Sequence, residues 1–518
     1  MKYYAGIDIG TGGARCAIFD VNGKLVSLVR QEWLPTVNPK YPGAREFDTV
    51  VVWRLLCTSL RQSIHEADID AHDIAAITAV SMREGMVLFD KNMKDLWATV
   101  QVDSRASEEL KEMARLGIAQ KIYDETGDWP TIQNPPRFWW LRKYLPEIYI
   151  RVAHMLMLCD WALYNLSGEL ASEPSIASSS GMFDLRRRTW SDEVIKAAQL
   201  PEGIYPPVYP SGTVIGRVTA KAASETGLIE GTPVVTGGSD SQIAMLGAGV
   251  IKPKSYAICG GTFWQTVLID DHPWLFSESR LKTLCHAVTG LWMSEGSGLL
   301  HGFIMRWFRD SFCQEEVRQA REVNKDVYLL MEQLAQKVPA GSNGVLAIFS
   351  NLANMKHWVH APASFVGFDI FSPDRTGKAA CIRAIEENAA YTSKGHIEII
   401  SRETGRIPYS IRMMGGASKG ILWPQIVSDA LGVPLEIPKE ADSTYLGAAI
   451  CGMVATSECN NWHEAVERLI RIDRIIEPNL KEKAKYDDLF IQWLKVYERM
   501  LVISEEGLMP PMWRAAGV

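Results

Sequence analysis

The sequence lacks the features that would place it in a membrane or build it around disulfides or zinc. No apolar run approaches the roughly 20 residues that a membrane-spanning helix needs. Nine cysteines are scattered along the chain without a C-x-x-C pair, which indicates reduced core thiols. The first residues are typical of a strand and not of a signal sequence. We therefore expect a cytoplasmic protein with no membrane partner.

An excess of positive charge is also missing. The 518 residues carry a formal net charge of −7, which gives no electrostatic basis for binding nucleic acid. The length is sufficient for roughly two to four domains with cores of their own. Strand-length and helix-length apolar patterns alternate along the chain and favour an α/β fold. The oligomeric state stays open, a homodimer included.

Two common nucleotide-binding signatures are absent as well. Neither G-x-x-x-x-G-K-[ST] nor a complete G-x-G-x-x-G occurs, which excludes P-loop and Rossmann sites. Instead, an apolar strand, a Gly-Thr turn and a second apolar strand occur twice, about half the chain apart. The pattern runs through Tyr4–Asp20, with Gly10 and Thr11 at its turn, and through Ser255–Ile269, with Gly261 and Thr262.

Turns of this kind present backbone amides and a hydroxyl, which together can cradle a phosphate. Their repetition predicts a duplicated protein that grips a nucleoside triphosphate between two related halves. Two unrelated hairpins that need glycine at the turn are the alternative.

Aspartates accompany two of the glycine-rich segments. Asp8 lies inside the first strand, where a buried charge needs a partner, and a Mg²⁺ that bridges nucleotide phosphates would be one. Bonding to loop amides is the alternative for Asp8. Asp240 follows Gly237 and Gly238 at a strand end, a position that suits a general base for a hydroxyl nucleophile. An N-cap of a helix over Ser241–Leu246 is a competing role, compatible with the first.

A further polar group follows the strand predicted over Ala75–Ser81. Arg83 can donate to neighbouring oxygens of a small hydroxylated substrate, and Glu84 can accept from its hydroxyls. Gln101, a short distance along the chain, could complete such a pocket. An ordinary surface ion pair is the alternative for Arg83 and Glu84.

The segment Gly416–Gly420 fits the G-x-S-x-G pattern of α/β-hydrolases, with Ser418 after a strand predicted over Ser410–Met414. Only His463 follows as a possible partner, and a hydrolase would leave the other glycine turns without a role. A hydrolase that uses Ser418 is therefore a remote alternative. A nucleotide-dependent binding protein without catalysis is another, against which the presence of both Asp8 and Asp240 argues.

Apolar periodicity also predicts individual helices. The pattern His357-x-x-His360 could suggest a metal pair, but no third ligand accompanies it. His357 and His360 are interpreted as surface histidines and not as a metal pair. The helices are predicted over Trp53–His65, Val152–Leu166, Ala379–Ser393, Asp442 to about Val454, and Tyr486–Ile503.

Taken in order, these pieces resemble the FGGY carbohydrate kinases of the actin/hexokinase-like superfamily, over about residues 3–460. The resemblance implies an α/β fold of two duplicated RNase H-like domains that flank a catalytic cleft. It also implies ATP and Mg²⁺ as cofactors and phosphoryl transfer to a hydroxyl of a small sugar-like substrate. The matching segments are Asp8–Arg15, Val102–Arg105, Asp160–Glu169, Gly237–Asp240, Gly260–Thr262 and Gly415–Gln425.

The resemblance implies roles for individual residues. Asp240 would be the catalytic base, Asp8 would serve the metal, and Arg83, Glu84, Gln101 and Asp240 would bind the substrate. Residues 1–250 would hold the substrate, the base and the first phosphate loop, residues 251–480 the nucleotide, and residues 481–518 a helix packed on the body. The implied ATP contacts are Gly10, Thr11, Gly12, Arg15, Gly261, Thr262, Gly415, Gly416 and Ser418.

Details of the pocket point to one branch of the family. Gln101 stands where many relatives have a tryptophan, and Gly13 replaces the usual serine or threonine of the first phosphate loop. Ser81–Gly85, Gly261–Gln265 and Met305–Asp310 are similar to the branch that phosphorylates open-chain 4,5-dihydroxypentane-2,3-dione at its terminal hydroxyl. We expect that acceptor first, with xylulose, ribulose, glycerol or another polyol as alternatives.

Overall fold

Two mixed β-sheets of the same topology, one in each half of the chain, organise the protein. The computed structural model describes residues 1–41, 43–276, 281–350, 352, 360–440 and 442–512. In each sheet, three parallel strands have antiparallel strands on both sides, and the second sheet carries one additional antiparallel strand at its edge. The predicted α/β fold with duplicated halves is therefore confirmed.

The strands of the first sheet, in spatial order, are Val214–Arg217, Pro233–Ser239, Ile74–Ser81, Tyr3–Gly10, Gly13–Asp20 and Leu25–Glu32. Those of the second sheet are Lys282–Cys285, Trp292–Leu299, Trp264–Asp270, Ser255–Gly260, Ile411–Met414, Leu435–Pro438 and Ile472–Ile476. A third sheet, within the first half, has the order Thr36–Val37, Arg45–Glu46, Asp95–Thr99, Met86–Phe89 and His154–Met157. Two-stranded ribbons pair Phe183–Asp184 with Thr189–Trp190, and Leu346–Ile348 with Ser364–Val366.

Helices cover the sheets and connect their strands. Short 3₁₀ segments occupy Ala71–Asp73, Ser178–Ser180, Ser342–Gly344 and Gly416–Lys419. The α-helices are Thr49–Glu66, Ser107–Arg115, Ile118–Thr126, Asn134–Tyr144, Pro146–Tyr149, Leu158–Ser167, Pro174–Ala177, Asp192–Ala197, Ala220–Thr226, Asp240–Gly247, His301–Phe312, Gln314–Glu322, Val327–Ala335, Pro373–Thr376, Lys378–Thr404, Leu422–Leu431, Ser443–Ala455, Trp462–Leu469 and Leu480–Glu505. In the part of the chain that the structure describes, no helix is long and apolar enough to span a membrane.

The first Gly-Thr turn explains why glycine stands at position 13. Gly10 pairs with Gly13, so the turn itself is Thr11 and Gly12. A Cβ atom on Gly13 would lie 2.9 Å from the carbonyl oxygen of Gln31 on the neighbouring strand. Glycine therefore lets that strand approach closely, and a serine here would require the strand to shift.

One predicted helix is wrong over its first residues. The prediction covers Val152–Leu166, but the helix begins at Leu158 and ends at Ser167. His154–Met157 instead forms a strand paired with Met86–Phe89. A strand whose residues are buried on both faces shows no alternation of polar and apolar side chains, so its pattern resembles that of a buried helix.

The prediction of two surface histidines is wrong for His360, which is buried. His357 lies outside the described residues.

The C-terminal helix Leu480–Glu505 extends the predicted Tyr486–Ile503 at both ends and is anchored by an aromatic stripe. Tyr486, Phe490, Trp493 and Tyr497 are buried in the core of the second half. Their spacing places all four side chains on one face of the helix. The Trp493 indole also donates to the carbonyl oxygen of Ala347 at 3.0 Å, so the helix is an integral part of this core.

The two halves meet where helix Asp240–Gly247 crosses helix Ser443–Ala455. A Cβ atom on Gly247 would overlap the carbonyl oxygen of Ser443, and one on Gly447 would overlap that of Ile243. Glycine on each helix thus permits direct contact between the two backbones. Asp240 begins the first of these helices, so the crossing fixes the position of its carboxylate.

A larger residue at this crossing should destabilise the whole protein. We expect Gly447→Val to lower the free energy of unfolding by about 3 kcal/mol, because the added carbons have no space between the backbones. Ala455→Val is the control, since it introduces a β-branched residue into the same helix at a half-buried site and should cost about 1 kcal/mol or less. Urea unfolding followed by circular dichroism measures both. Equal losses for the two variants would contradict the close crossing.

Candidate active site

A cavity of about 410 Å³ lies between the halves at the ends of the parallel strands, and we call it the first cavity. Its lining comes from both halves of the chain, so the second half contributes to it as much as the first. The lining residues are Thr11, Arg83, Gln101, Val102, Ser104, Ile132, Asp240, Ser241, Phe263, Gln265, Lys282, Glu295, Ser297, Leu299 and Leu300.

The polar wall of this cavity is built around Arg83. Its guanidinium makes two bonds to Glu295, with Nη1 2.7 Å from Oε2 and Nη2 3.2 Å from Oε1. Gln265 donates to the same Oε1 at 3.2 Å. Burial alone would raise the pKa of Glu295, but Arg83 and Lys282 outweigh burial and lower it. Glu295 is therefore an ionised acceptor that fixes Arg83 against the cavity.

Lys282 brings a second positive charge to the wall. Its ammonium is 3.7 Å from Glu84 Oε1 and 3.7 Å from Asp128 Oδ2, so both carboxylates neutralise it without forming short hydrogen bonds. The side chain is 10% exposed and lines the cavity. Its donors are thus available to an oxygen-rich molecule bound there.

Glu84 does not line the cavity, although the sequence predicts that it contacts the substrate. Its side chain is fully buried, and neither carboxylate oxygen has a hydrogen-bond partner within the described ranges. The residue has φ 59°, a left-handed conformation that a non-glycine residue adopts at some cost. Its Oε1 lies behind the wall, 3.7 Å from the Lys282 ammonium and 3.9 Å from Arg83 Nε, and its contact with a substrate stays a prediction.

Asp240 reaches the first cavity from the first turn of its helix. Ser239 is the N-cap residue, so Asp240 is the first helical residue and not the cap. Its Oδ1 accepts from the backbone N–H of Ser241 at 2.6 Å and from the Ser241 hydroxyl at 3.2 Å. Burial raises the pKa of Asp240, and Arg83 opposes that rise. Among the described residues, no hydrogen bond engages Oδ2, which leaves this oxygen available to a ligand.

Asp8 lies beneath the first Gly-Thr turn. Its Oδ2 accepts from Arg15 Nη1 at 2.9 Å, while Oδ1 is buried and has no partner. Burial raises the pKa of Asp8 to about 6, although Arg15 lowers it and Asp240 adds to the rise. An orphaned carboxylate oxygen of this kind suits a hard cation as its ligand. In the part of the chain that the structure describes, no cluster of three or more metal-ligating side chains is found.

A second cavity, also of about 410 Å³, lies in the second half. Glycines, apolar side chains and both acidic and basic side chains line it. A Cβ atom on Gly415, which has φ 88°, would lie 2.8 Å from the carbonyl group of Gly260. The lining residues are Gly260, Gly261, Thr262, Gly302, Met305, Arg306, Asp326, Tyr328, Leu329, Met331, Glu332, Ile382, Glu386, Gly416, Ala417, Lys419, Gly420 and Trp423.

The second Gly-Thr turn separates the two cavities. Gly261 and Thr262 line the second cavity, whereas the next residue, Phe263, lines the first. Thr11, from the first turn, faces the first cavity together with Asp240.

Some of the residues that are predicted to contact ATP line neither cavity. Gly10, Gly12, Arg15, Gly415 and Ser418 lie outside both linings. Ser418 is buried and its hydroxyl donates to the carbonyl oxygen of Gly415 at 2.8 Å. This hydroxyl is engaged within its own loop, which argues against its use as the nucleophile of a hydrolase.

Sequence reasoning missed Glu295, Lys282 and Gln265. A usable signal was present for Glu295, because a glutamate stands inside the otherwise buried strand Trp292–Leu299. A buried charge in a strand needs a partner, as Asp8 does. Gln265 belongs to a segment that resembles one branch of the family, but that resemblance assigns it no role in the site.

The duplicated α/β halves, with glycine turns facing a polar cavity, define a two-domain carbohydrate kinase. The chain belongs to the FGGY family of carbohydrate kinases: the N-terminal domain of that family matches residues 3–247, and the C-terminal domain matches residues 257–456. The chain is 39% identical to an autoinducer-2 kinase of Yersinia enterocolitica over 519 residues, which cover 100% of this chain and 98% of the relative. An autoinducer-2 kinase of Yersinia pestis is 40% identical with the same coverage.

Solved structures of other family members share the fold. A xylulose kinase from Lactobacillus acidophilus matches with a TM-score of 0.86 at 21% identity, covering 98% of this chain and 100% of the other. A glycerol kinase from Plasmodium falciparum with ADP matches with a TM-score of 0.82 at 19% identity, covering 97% and 98%. At these identities, the likeness establishes the fold alone.

The raised pKa of Asp8 makes its effect on stability depend on pH. The pKa is about 6 in the folded protein against an ordinary 3.8, so the folded state holds the proton more tightly than the unfolded state. Stability is therefore lost as the pH rises through this window. Asp8→Asn should gain about 1 kcal/mol relative to the wild type between pH 5 and pH 8.

The measurement is urea unfolding at both pH values, without nucleotide. Asp192→Asn is the control, because it makes the same change at an exposed first helical residue that lines neither cavity. A relative stability of Asp8→Asn that stays constant or falls from pH 5 to pH 8 would contradict the buried, proton-binding state of Asp8.

Proposed function

We propose that this kinase transfers the γ-phosphoryl group of ATP to the terminal hydroxyl of autoinducer-2 in its open form, 4,5-dihydroxypentane-2,3-dione. The proposal rests on one observation: the autoinducer-2 kinases match at 39% identity over the whole chain. The polar wall supports it, because Arg83 and Lys282 offer several donors to neighbouring carbonyl and hydroxyl oxygens. Xylulose, ribulose or glycerol as the preferred acceptor is the alternative.

In the proposed reaction, Asp240 accepts the proton of the acceptor hydroxyl. The hydroxyl oxygen forms a bond to the γ-phosphorus, the bond from that phosphorus to the β-phosphate bridging oxygen breaks, and ADP leaves. The Oδ1 of Asp240 is held by Ser241, so its free Oδ2 is the acceptor of the proton. A pKa raised by burial makes the carboxylate a better base than an exposed aspartate.

The glycine turns would hold the nucleotide on either side of the cleft. In the proposal, Gly10, Thr11 and Gly12 of the first turn and Gly261 and Thr262 of the second present amides and hydroxyls to the phosphates. Gly415 and Gly416 support the nucleoside from the second half. In this proposal, residues 1–250 and 251–480 bind from opposite sides of the cleft, and helix Leu480–Glu505 packs into the core of the second half.

Asp8 is the residue proposed to serve Mg²⁺. Its partnerless Oδ1 suits a hard cation, which would otherwise be held by phosphate oxygens and water. When bound, Mg²⁺ would neutralise charge on the phosphate oxygens. Arg15 holds the other oxygen of Asp8 and so fixes the direction in which Oδ1 points.

Replacing the proposed base should strongly reduce turnover and leave the affinity for ATP nearly unchanged. We expect Asp240→Asn to lower kcat by about a hundredfold to ten-thousandfold, because the amide cannot accept the proton. The Kd for ATP, measured by calorimetry, should change by less than about threefold, since Asp240 faces the acceptor. Asp192→Asn, which also alters the residue after an N-cap serine, is the matched control. Turnover within about threefold of wild type in folded Asp240→Asn protein would remove Asp240 from this role.

The polar wall should favour a dicarbonyl acceptor over a reduced polyol. We expect kcat/KM for 4,5-dihydroxypentane-2,3-dione to exceed that for glycerol and D-xylulose by at least about tenfold, because polar groups left unpaired by a poorer acceptor are costly. Lys282→Met should remove most of this preference, whereas the exposed Lys252→Met should not. ADP release in a coupled assay measures all three acceptors. A higher kcat/KM for glycerol or D-xylulose would contradict the proposed acceptor, although the protein would still be a carbohydrate kinase.

A further inference from the structure

We propose that Glu386 binds the base of the nucleotide and selects adenine through its 6-amino and N1 edge. The inference rests on the proposed role of the second cavity in nucleotide binding. Glu386 lines a part of that cavity formed by helix Lys378–Thr404, and the glycine turns belong to other segments.

The other acidic residues of the second cavity already have structural partners. Asp326 is the N-cap of helix Val327–Ala335 and accepts from the backbone N–H of Tyr328 at 2.9 Å. Glu332 accepts from the N–H groups of Ile421 and Leu422, where helix Leu422–Leu431 begins. Each of these carboxylates satisfies a helix end, so neither needs a ligand.

Glu386 has no such task. It lies in the middle of helix Lys378–Thr404, is 3% exposed and lines the second cavity. Its Oε2 is buried without a partner, and no hydrogen bond between described residues reaches its Oε1. A buried polar group without a partner costs free energy that a ligand can recover.

The nearby cation is already engaged. Arg383, one turn earlier on the helix, donates to Glu387 at 2.9 Å, to the carbonyl oxygen of Val338 at 2.8 Å and to the Tyr486 hydroxyl at 2.9 Å. Glu387 is in turn bound by Gly341 and Ser342. Glu386 is thus the free member of an adjacent pair whose other member is fully used.

The surroundings of Glu386 suit a flat aromatic base. Met331 and Ile382 line the same cavity and give it apolar walls. Trp423, also in the lining, stacks on Trp264 with ring centroids 5.4 Å apart and planes inclined by 16°. A small number of polar groups within apolar walls is the usual composition of a site that orients a planar ligand.

The protonation of Glu386 decides which base it can bind. Burial raises its pKa well above the ordinary value, and Glu332 and Glu387 add to the rise while Arg383 opposes it. The protonated carboxyl offers one donor and one acceptor. Its carbonyl oxygen can accept from the 6-amino group of adenine, and its hydroxyl can donate to N1. A glutamine side chain presents the same pair, whereas leucine presents neither.

Calorimetry on the full chain without an acceptor tests this, with ATP and purine riboside triphosphate, which lacks the 6-amino group, as the two ligands. We expect the wild type to bind ATP at least about tenfold more tightly than the analogue, since a buried acceptor is otherwise left unpaired. Glu386→Gln should keep this preference, and Glu386→Leu should reduce it to within about twofold. Glu398→Leu, on the outer face of the same helix, should behave as wild type.

Equal binding of the two ligands by the wild type, or an unchanged preference in Glu386→Leu, would overturn the role of Glu386. If Glu386→Leu does not fold, the wild type and Glu386→Gln still decide, because loss of the preference in Glu386→Gln contradicts recognition by a neutral donor and acceptor. Failure to bind ATP at all would overturn the nucleotide site and this inference together. ATP binding with the expected preference, in a protein that phosphorylates another acceptor, would leave the inference intact.

Discussion

Direct contact between backbones, made possible by glycine, is the constraint on which the structure depends. It occurs where the two halves cross, at Gly247 and Gly447, and again where Gly415 packs against Gly260. The first contact sets the relative position of the two sheets. The second brings the second Gly-Thr turn close to the loop Gly415–Gly420, for which we propose a role in nucleotide binding. A side chain at any of these positions would separate elements whose closeness creates the cleft.

From that constraint follows the division of the cleft into two cavities. The second Gly-Thr turn stands between them, with Thr262 on one side and Phe263 on the other. Buried carboxyl groups with incomplete partners lie at or behind the lining of each cavity. Glu84 and Asp128 share Lys282 behind the wall of the first cavity, and among the described residues no hydrogen bond reaches Glu386 in the second. Such incompletely paired groups destabilise the empty protein and mark the places where ligands supply the missing partners.

The sequence was sufficient for the features that depend on local pattern. The two hairpins, the parallel strand after Ala75 and most helices follow from periodicity and glycine placement, because those signals are contained in short segments. Asp8 and Asp240 could be found for the same reason, since each stands beside its own glycine turn. The strand His154–Met157 could not be recognised from the sequence, because burial on both faces removes the alternation of polar and apolar side chains.

The partners within the site were beyond the reach of sequence reasoning. Arg83 and Glu295 are far apart in the chain and meet only when the two halves assemble. The position of Glu84 behind the cavity wall was hidden for the same reason, because its neighbour Lys282 comes from the second half of the chain. Glu386 and Glu387 are neighbours in the sequence, yet only their three-dimensional surroundings show that one is satisfied and the other is not.

The central claim is that the phosphoryl group passes directly from the nucleotide to the acceptor across the turn between the cavities. The stereochemistry at phosphorus tests this most directly, using ATP made chiral at its γ-phosphorus with oxygen isotopes. A single in-line displacement inverts the configuration, and inversion in the phosphorylated acceptor is the result that this arrangement predicts. Retention would mean two successive displacements through a phosphorylated side chain, and would contradict the role given to Asp240 and the two Gly-Thr turns.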